Sequence, residues 1–172
     1  MLQSGEIADG VLTVYWPGDK WGEMRETLDE GARLAGRPPH SAAIAPIITS
    51  VILDENANEY DRAAARLFAA APLAYYIGRM GVYYSEMLTR HGYGAEVAVV
   101  QEAWKHKDKN PAEAVAPELL EATSIVGTPK EVVAKLDQWA ASGVDEPLLG
   151  MPGGSVDETG AKLSVLMDAL RA

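Results

Sequence analysis

The chain has 172 residues, a length suited to one domain, and 48% of them are apolar, enough for a buried core. Lys and Arg total 15 against 25 for Asp and Glu, a formal net charge of -10, so a nucleic-acid backbone or an anionic membrane is repelled and neither is an expected partner. Cysteine is absent, which excludes disulfides, thiolate metal sites and cysteine nucleophiles. The start, Met1 to Glu6, has no basic stretch followed by an apolar run, and nothing later reaches bilayer-spanning length, so a cytoplasmic protein is expected.

Leu2, Ile7 and Ala8 suggest the tail of a helix, and Asp9-Gly10 turns the chain into a β-branched and aromatic run, Val11 to Tyr15. After Pro17-Gly18 the spacing predicts a helix over 20–34, with Trp21, Met24, Leu28 and Ala32 on one face and a stop at Gly36. Ile44 to Leu53 is a continuous apolar stretch of the kind found in parallel strands covered on both faces, with Pro46 near its entry. From Glu59 to about Trp104 the pattern is helical and Ala-rich, with breaks expected at Pro72 and at Gly92-Tyr93-Gly94; the region 56–124 reads as a helical insertion. Thr128-Pro129-Lys130-Glu131 is a capping box with proline at the first helical position, and Gly143 marks that helix's end. A strand is expected from Val144 to Leu149, and Ser155 to Glu158 caps a final helix carrying Leu163, Leu166, Met167 and Leu170.

Strands alternating with helices over short connections imply an α/β protein with parallel strands and right-handed crossovers, folded as one domain over 1–172. Three strands cannot close a sheet on itself. A (β/α)8 (TIM) barrel needs eight units over about 250 residues, so this order reads as a partial barrel of about the last three βα units, with the insertion before the last strand.

Four phrases in fixed order carry a family resemblance: Gly5-Glu6-Ile7-Ala8-Asp9-Gly10-Val11, then Gly78-Arg79-Met80-Gly81-Val82-Tyr83-Tyr84, then Gly92-Tyr93-Gly94 with Glu96-Val97, then Val126 to Val132 followed by Ala141 to Glu146. Together they resemble the luciferase-like monooxygenases, above all the members that use FMN or the deazaflavin coenzyme F-420. The resemblance implies an oxidoreductase or monooxygenase that passes hydride through the reduced cofactor to a small organic substrate or to dioxygen. It also implies that much of the cofactor site precedes the residue corresponding to Met1. The choice between F-420 and FMN stays open.

On a (β/α)8 barrel, Tyr15-Trp16 would follow a strand onto the C-terminal face, where this fold builds its sites; plain aromatic packing is the alternative. Arg79 is a lone cation in an apolar stretch ahead of Tyr83-Tyr84, so it needs an anionic ligand group or an ion pair, with Glu86 for example. Tyr15, Trp16, Arg79 and Tyr83 are therefore the expected lining of a substrate or cofactor site. His40, His91 and His106 show no metal-ligand spacing and read as surface residues, His91 as a helix C-terminal cap, so no metal is expected. Gly150 to Ser155 could offer backbone N–H groups to a phosphate but lacks nucleotide-binding spacings. No serine-hydrolase arrangement occurs. The alternative to an enzyme is a catalytically silent assembly piece whose unpaired sheet edge meets a complementary N-terminal half or a second copy; an unrelated α/β binding domain is a third.

Overall fold

The computed structural model describes residues 1–151 and 153–171. In chain order the elements are α1 (Leu2–Ile7), β1 (Gly10–Val14), α2 (Trp21–Leu34), β2 (Ala43–Ile52), α3 (Glu59–Arg79), α4 (Tyr83–Leu88), α5 (Gly94–Ala103), α6 (Pro117–Thr123), β3 (Ser124–Gly127), α7 (Pro129–Ala141), β4 (Leu148–Gly150) and α8 (Val156–Ala169). All three other strands pair with β2, and all in parallel.

The registers fix which edge of β2 each strand occupies. Ile47 is opposite both Val14 and Leu148, and Thr49 is opposite both Ser124 and Gly150. A strand residue has one neighbour on each edge, so β4 lies across from both β1 and β3. Hence β1 and β3 follow one another along the same edge. Where β1 ends, β3 takes its place.

Alternation along β2 divides its side chains between two faces. Ile44, Ile48 and Ile52 pack with Trp21, Met24 and Leu28 of α2, Val132 and Trp139 of α7 and Leu166 of α8; burying each large side chain contributes about 1.5–3 kcal/mol. The other face is covered only toward the C-terminal ends of the strands. There Val14, Val51 and Val126 meet Leu73 and Ile77 of α3, Val100 of α5 and Leu119 of α6. Nearer the N-terminal ends this second face is open, with Leu12 68%, Ile47 42% and Leu148 45% exposed.

The N-terminal ends of the strands are tied by a buried cation. Arg25 donates to the Ala42 carbonyl (2.8 Å), the Gly143 carbonyl (3.0 Å) and the Asp145 carboxylate, which also accepts the Ile44 N–H at 2.7 Å. Close by, α1 crosses α2 at backbone contact: a Cβ on Gly31 would stand 2.0 Å from the Leu2 carbonyl oxygen, and one on Gly5 would stand 2.0 Å from that of Leu28.

Three expectations need correction. A fourth strand, β3, exists where only a helix cap was expected. The last strand is Leu148–Gly150, not Val144 to Leu149, because the amides of Val144, Asp145 and Glu146 close helix α7 at Trp139 and bind the Ile44 carbonyl instead. Pro72 does not break α3, which runs unbroken through it. Proline removes one N–H bond to the preceding turn, and the buried flank Ala69, Ala70, Leu73, Ala74 holds the helix across that gap.

Candidate functional site

At the C-terminal ends of the strands, Tyr15 adopts φ 56°, in the left-handed region. For a residue with a Cβ that conformation costs about 1–2 kcal/mol, and such outliers persist where surrounding contacts impose them. The turn carries the chain off the β2 edge as β3 arrives, and it folds the phenol back over the sheet. The ring is 4% exposed and makes edge contacts with Tyr76 (centroids 5.0 Å apart) and Tyr84 (6.3 Å). Burial pushes the phenol's pKa up, so the group stays protonated. Its hydroxyl lies 3.4 Å from Thr49 Oγ1.

Thr49 sits on the second face of β2, between Ser124 and Gly150. Ser124 is buried and its Oγ has no hydrogen-bond partner. Beside it is a cavity of about 70 Å³ lined by Arg66, Glu121, Leu120 and Val126. Hydroxyls of Tyr15, Thr49 and Ser124 thus stand close together in an otherwise apolar wall.

Trp16, the residue after Tyr15, turns to the other cluster, its ring stacked on Trp21 with centroids 6.4 Å apart. Its indole N–H donates to the Lys20 carbonyl at 3.1 Å, and its ring meets His91 edge-on at 4.5 Å. His91 belongs to a π-helical turn, Thr89–Tyr93, that links α4 to α5 and is allowed by Gly92 at φ 99°. It is no surface cap. Its side chain is mostly buried, with Nδ1 4.0 Å from Glu23. Burial lowers its pKa, opposed by Glu23 and reinforced by Lys20 and Arg90.

Arg79 and Tyr83 sit elsewhere. The Arg79 guanidinium lies over the Trp104 ring, 4.7 Å from its centroid, and among the described residues it pairs with no carboxylate, Glu86 included. Such stacking contributes about 0.5–1 kcal/mol at an exposed site. Gly78 permits it, since a Cβ there would fall 2.1 Å from the indole. Tyr83 opens α4 and is solvent-exposed. Neither meets Tyr15 or Trp16.

A depression of about 510 Å³ lies between the end of β2, α3 and α8; Ile52, Phe68, Met151, Gly153 and Lys162 are among its walls. Of the loop from Gly150 to Ser155, Pro152 falls outside the described residues. The α8 end of that loop is already supplied with an anion: Glu158 accepts the Ser155 N–H at 2.7 Å, and Ser155 Oγ accepts the Glu158 N–H at 3.2 Å. A carboxylate there opposes capture of a phosphate. Among the described residues, no three of His, Asp and Glu gather as a metal would require. No helix among them is long and apolar enough to cross a membrane.

Of the residues gathered at the C-terminal ends of the strands, sequence reasoning singles out Tyr15 and Trp16, reads His91 as a helix cap, and passes over Thr49 and Ser124. For Thr49 a signal existed: Thr49-Ser50 is the polar interruption of the apolar run from Ile44 to Leu53.

The profile of the luciferase-like monooxygenase family matches residues 2–146. Rv3520c of Mycobacterium tuberculosis, whose name assigns it provisionally to the coenzyme F420-dependent oxidoreductases, is 31% identical over 148 residues, covering 82% of this chain and 41% of that protein. The F420-dependent tetrahydromethanopterin reductase of Methanopyrus kandleri superposes with a TM-score of 0.68 at 23% identity, over 98% of this chain and 47% of that one. An F420-dependent secondary alcohol dehydrogenase gives 0.61 at 18% identity, over 99% and 46%. EDTA monooxygenase of Chelativorans sp. BNC1 gives 0.63 at 14% identity, over 99% and 41%. The chain spans less than half the length of each, and at these identities the structural likeness is one of fold.

Proposed function

We propose, from the premise that the chain belongs to the luciferase-like monooxygenase family, that it supplies the last three βα units of a (β/α)8 barrel working as a flavin- or deazaflavin-dependent oxidoreductase. The observation that carries this reading is the open second face. Leu12, Ile47 and Leu148 form an exposed apolar wall on the side of the sheet that a barrel would turn inward.

The flat ring of such a coenzyme fits the C-terminal end of that wall, where a (β/α)8 barrel builds its sites and where Thr49 adds a hydroxyl beside Gly150; Leu12, Ile47 and Leu148, nearer the N-terminal ends, fit the packed interior of the barrel. The described residues do not fit its phosphate, because carboxylates already cap the helices that follow β2, β3 and β4: Asp61 accepts the Asn58 N–H, Glu131 the Thr128 N–H and Glu158 the Ser155 N–H. Ring contacts are therefore assigned to this chain and phosphate contacts to the units preceding it in the relatives. When bound, the coenzyme supplies the hydride. Tyr15, Tyr76 and Tyr84 close the C-terminal end of the wall against water. The relatives named for F420 favour the deazaflavin, with FMN as the alternative; a small organic acceptor or dioxygen would receive the hydride.

Titrating the purified chain with F420 and with FMN, alone and mixed with a polypeptide covering the preceding half of a relative, tests this by coenzyme fluorescence. Saturable binding in either arm is the expected result. No binding in both overturns it.

A second reading is favoured by the same open wall together with an apolar stripe on α8, where Leu163, Met167 and Leu170 are all exposed. Uncovered apolar surface of this extent marks an interface, and the chain would then act as an assembly module for a complementary half or a second copy. Light scattering that shows a lone monomer, with or without the preceding half, counts against it.

A further inference from the structure

The open face presents one hydroxyl, and the hydrogen-bonding around it is one-sided. Side chains on this face are Leu12 and Val14 from β1, Ala43, Ala45, Ile47, Thr49 and Val51 from β2, Ser124 and Val126 from β3, and Leu148 from β4; of its two hydroxyls, that of Ser124 is buried. Thr49 is partly exposed, and its β4 neighbour is Gly150, which puts no side chain beside it. A Cβ on Gly150 would meet nothing closer than 3.4 Å. The bare position is therefore not forced by packing, and it leaves room next to Thr49.

Proton placement follows from burial. The Tyr15 hydroxyl is enclosed, and Thr49 Oγ1 is the partner within its reach. Were Thr49 the donor, the phenolic O–H would be left buried and unpaired, at a cost of about 1–3 kcal/mol. Tyr15 therefore donates to Thr49, and the Thr49 proton must go to another acceptor. Ser124, its neighbour on the other edge, does not take it, since Ser124 Oγ is without a partner. The Thr49 O–H is left to point toward the open face, and the strained φ at Tyr15 is what holds the phenol behind it.

We infer that Thr49 is the hydrogen-bond donor by which this face grips a planar ring ligand bearing an acceptor oxygen or nitrogen, and that Tyr15 is a positioning residue that aims the Thr49 hydroxyl. The inference rests on the oxidoreductase reading above and assigns one contact within it. The test uses the full chain, with the preceding half of a relative added if wild type needs it, and titrates F420 and FMN against wild type, Thr49→Val, Thr49→Ser and Tyr15→Phe. Thr49→Val keeps the shape and removes the donor, so affinity falls about two- to twelvefold, the worth of one neutral hydrogen bond, and the absorption band of the bound coenzyme shifts. Thr49→Ser restores affinity to within about threefold, and Tyr15→Phe gives a smaller loss with the same direction of band shift. Circular dichroism melts establish that each variant is folded. If wild type binds a coenzyme and Thr49→Val binds it equally, or if Thr49→Ser is as weak as Thr49→Val, the inference is overturned and the functional reading stands. If wild type binds neither coenzyme in either arm, the functional reading is overturned and this contact falls with it.

Discussion

The two ends of the sheet are built to different rules. At the N-terminal ends, polar groups are matched many times over: Arg25 serves two carbonyls and Asp145, Asp145 serves Ile44, and Arg37 reaches from the Gly5 carbonyl at 2.7 Å to that of Ser41 at 3.2 Å. In this network the Arg25 Nε is buried without a partner among the described residues. At the C-terminal ends a tyrosine is strained, a buried serine hydroxyl is unpaired, and the one link between hydroxyls is a long 3.4 Å contact. Optimised polar contacts at one end and unspent ones at the other are what a (β/α) fold shows when one end carries stability and the other a site.

The largest expected effect falls at the matched end. Asp145→Ala leaves the Arg25 guanidinium without its anion and the Ile44 N–H without an acceptor. Because Asp145 is itself 40% exposed, the loss is about 2–3 kcal/mol, below the 3–5 of a fully buried pair. Urea unfolding measures it, and a loss under half a kcal/mol would erase the contrast between the ends. Gly31→Ala should cost about 2 kcal/mol by overpacking, because the new methyl meets the Leu2 backbone and not a flexible side chain; the same melts, with α1 followed by hydrogen exchange, check it.

At the other end the sign reverses. Ser124→Ala removes a buried hydroxyl that has no partner, and stability should rise by about 1 kcal/mol. A fall in the urea midpoint would mean that the hydroxyl is satisfied in solution, for instance by water in the cavity beside it. The smallest effect is one of pH. His91 has a folded-state pKa below its unfolded value, so the unfolded chain binds the extra proton first, and its contribution is fully present above about pH 6.5. As pH falls from there toward the depressed value, stability should drop by under about 1 kcal/mol. His91→Gln should flatten that part of the profile, which thermal melts between pH 5 and 8 would reveal.

Much of the fold could be read from periodicity. Trp21, Met24, Leu28 and Ala32 form the buried stripe of α2 that their spacing predicts, and the apolar run from Ile44 became the strand around which the sheet is arranged. The strand β3 escaped because it is four residues long and abuts α6 and α7 with no turn on either side, so Val126-Gly127-Thr128 looked like a helix start alone. Site residues divide in the same way. Tyr15 was legible by its position after a strand, whereas its conformation depends on β3 replacing β1, a contact more than a hundred residues away in the chain. Arg79 looked unpartnered because its partner is an indole 25 positions later, a pairing that neither charge nor local spacing announces.

The shared edge of β2 also decides where this protein can be cut and rejoined. The helices from Glu59 to Thr123 look like a cassette that could be exchanged between relatives, yet the residues right after them are sheet. A graft ending at Thr123 would set a foreign helix against a resident strand that must still reach Thr49 in register. One that carries Ser124–Gly127 brings its own edge, and a chimera with its junction after Gly127 keeps the donor's helices and the strand that anchors them together.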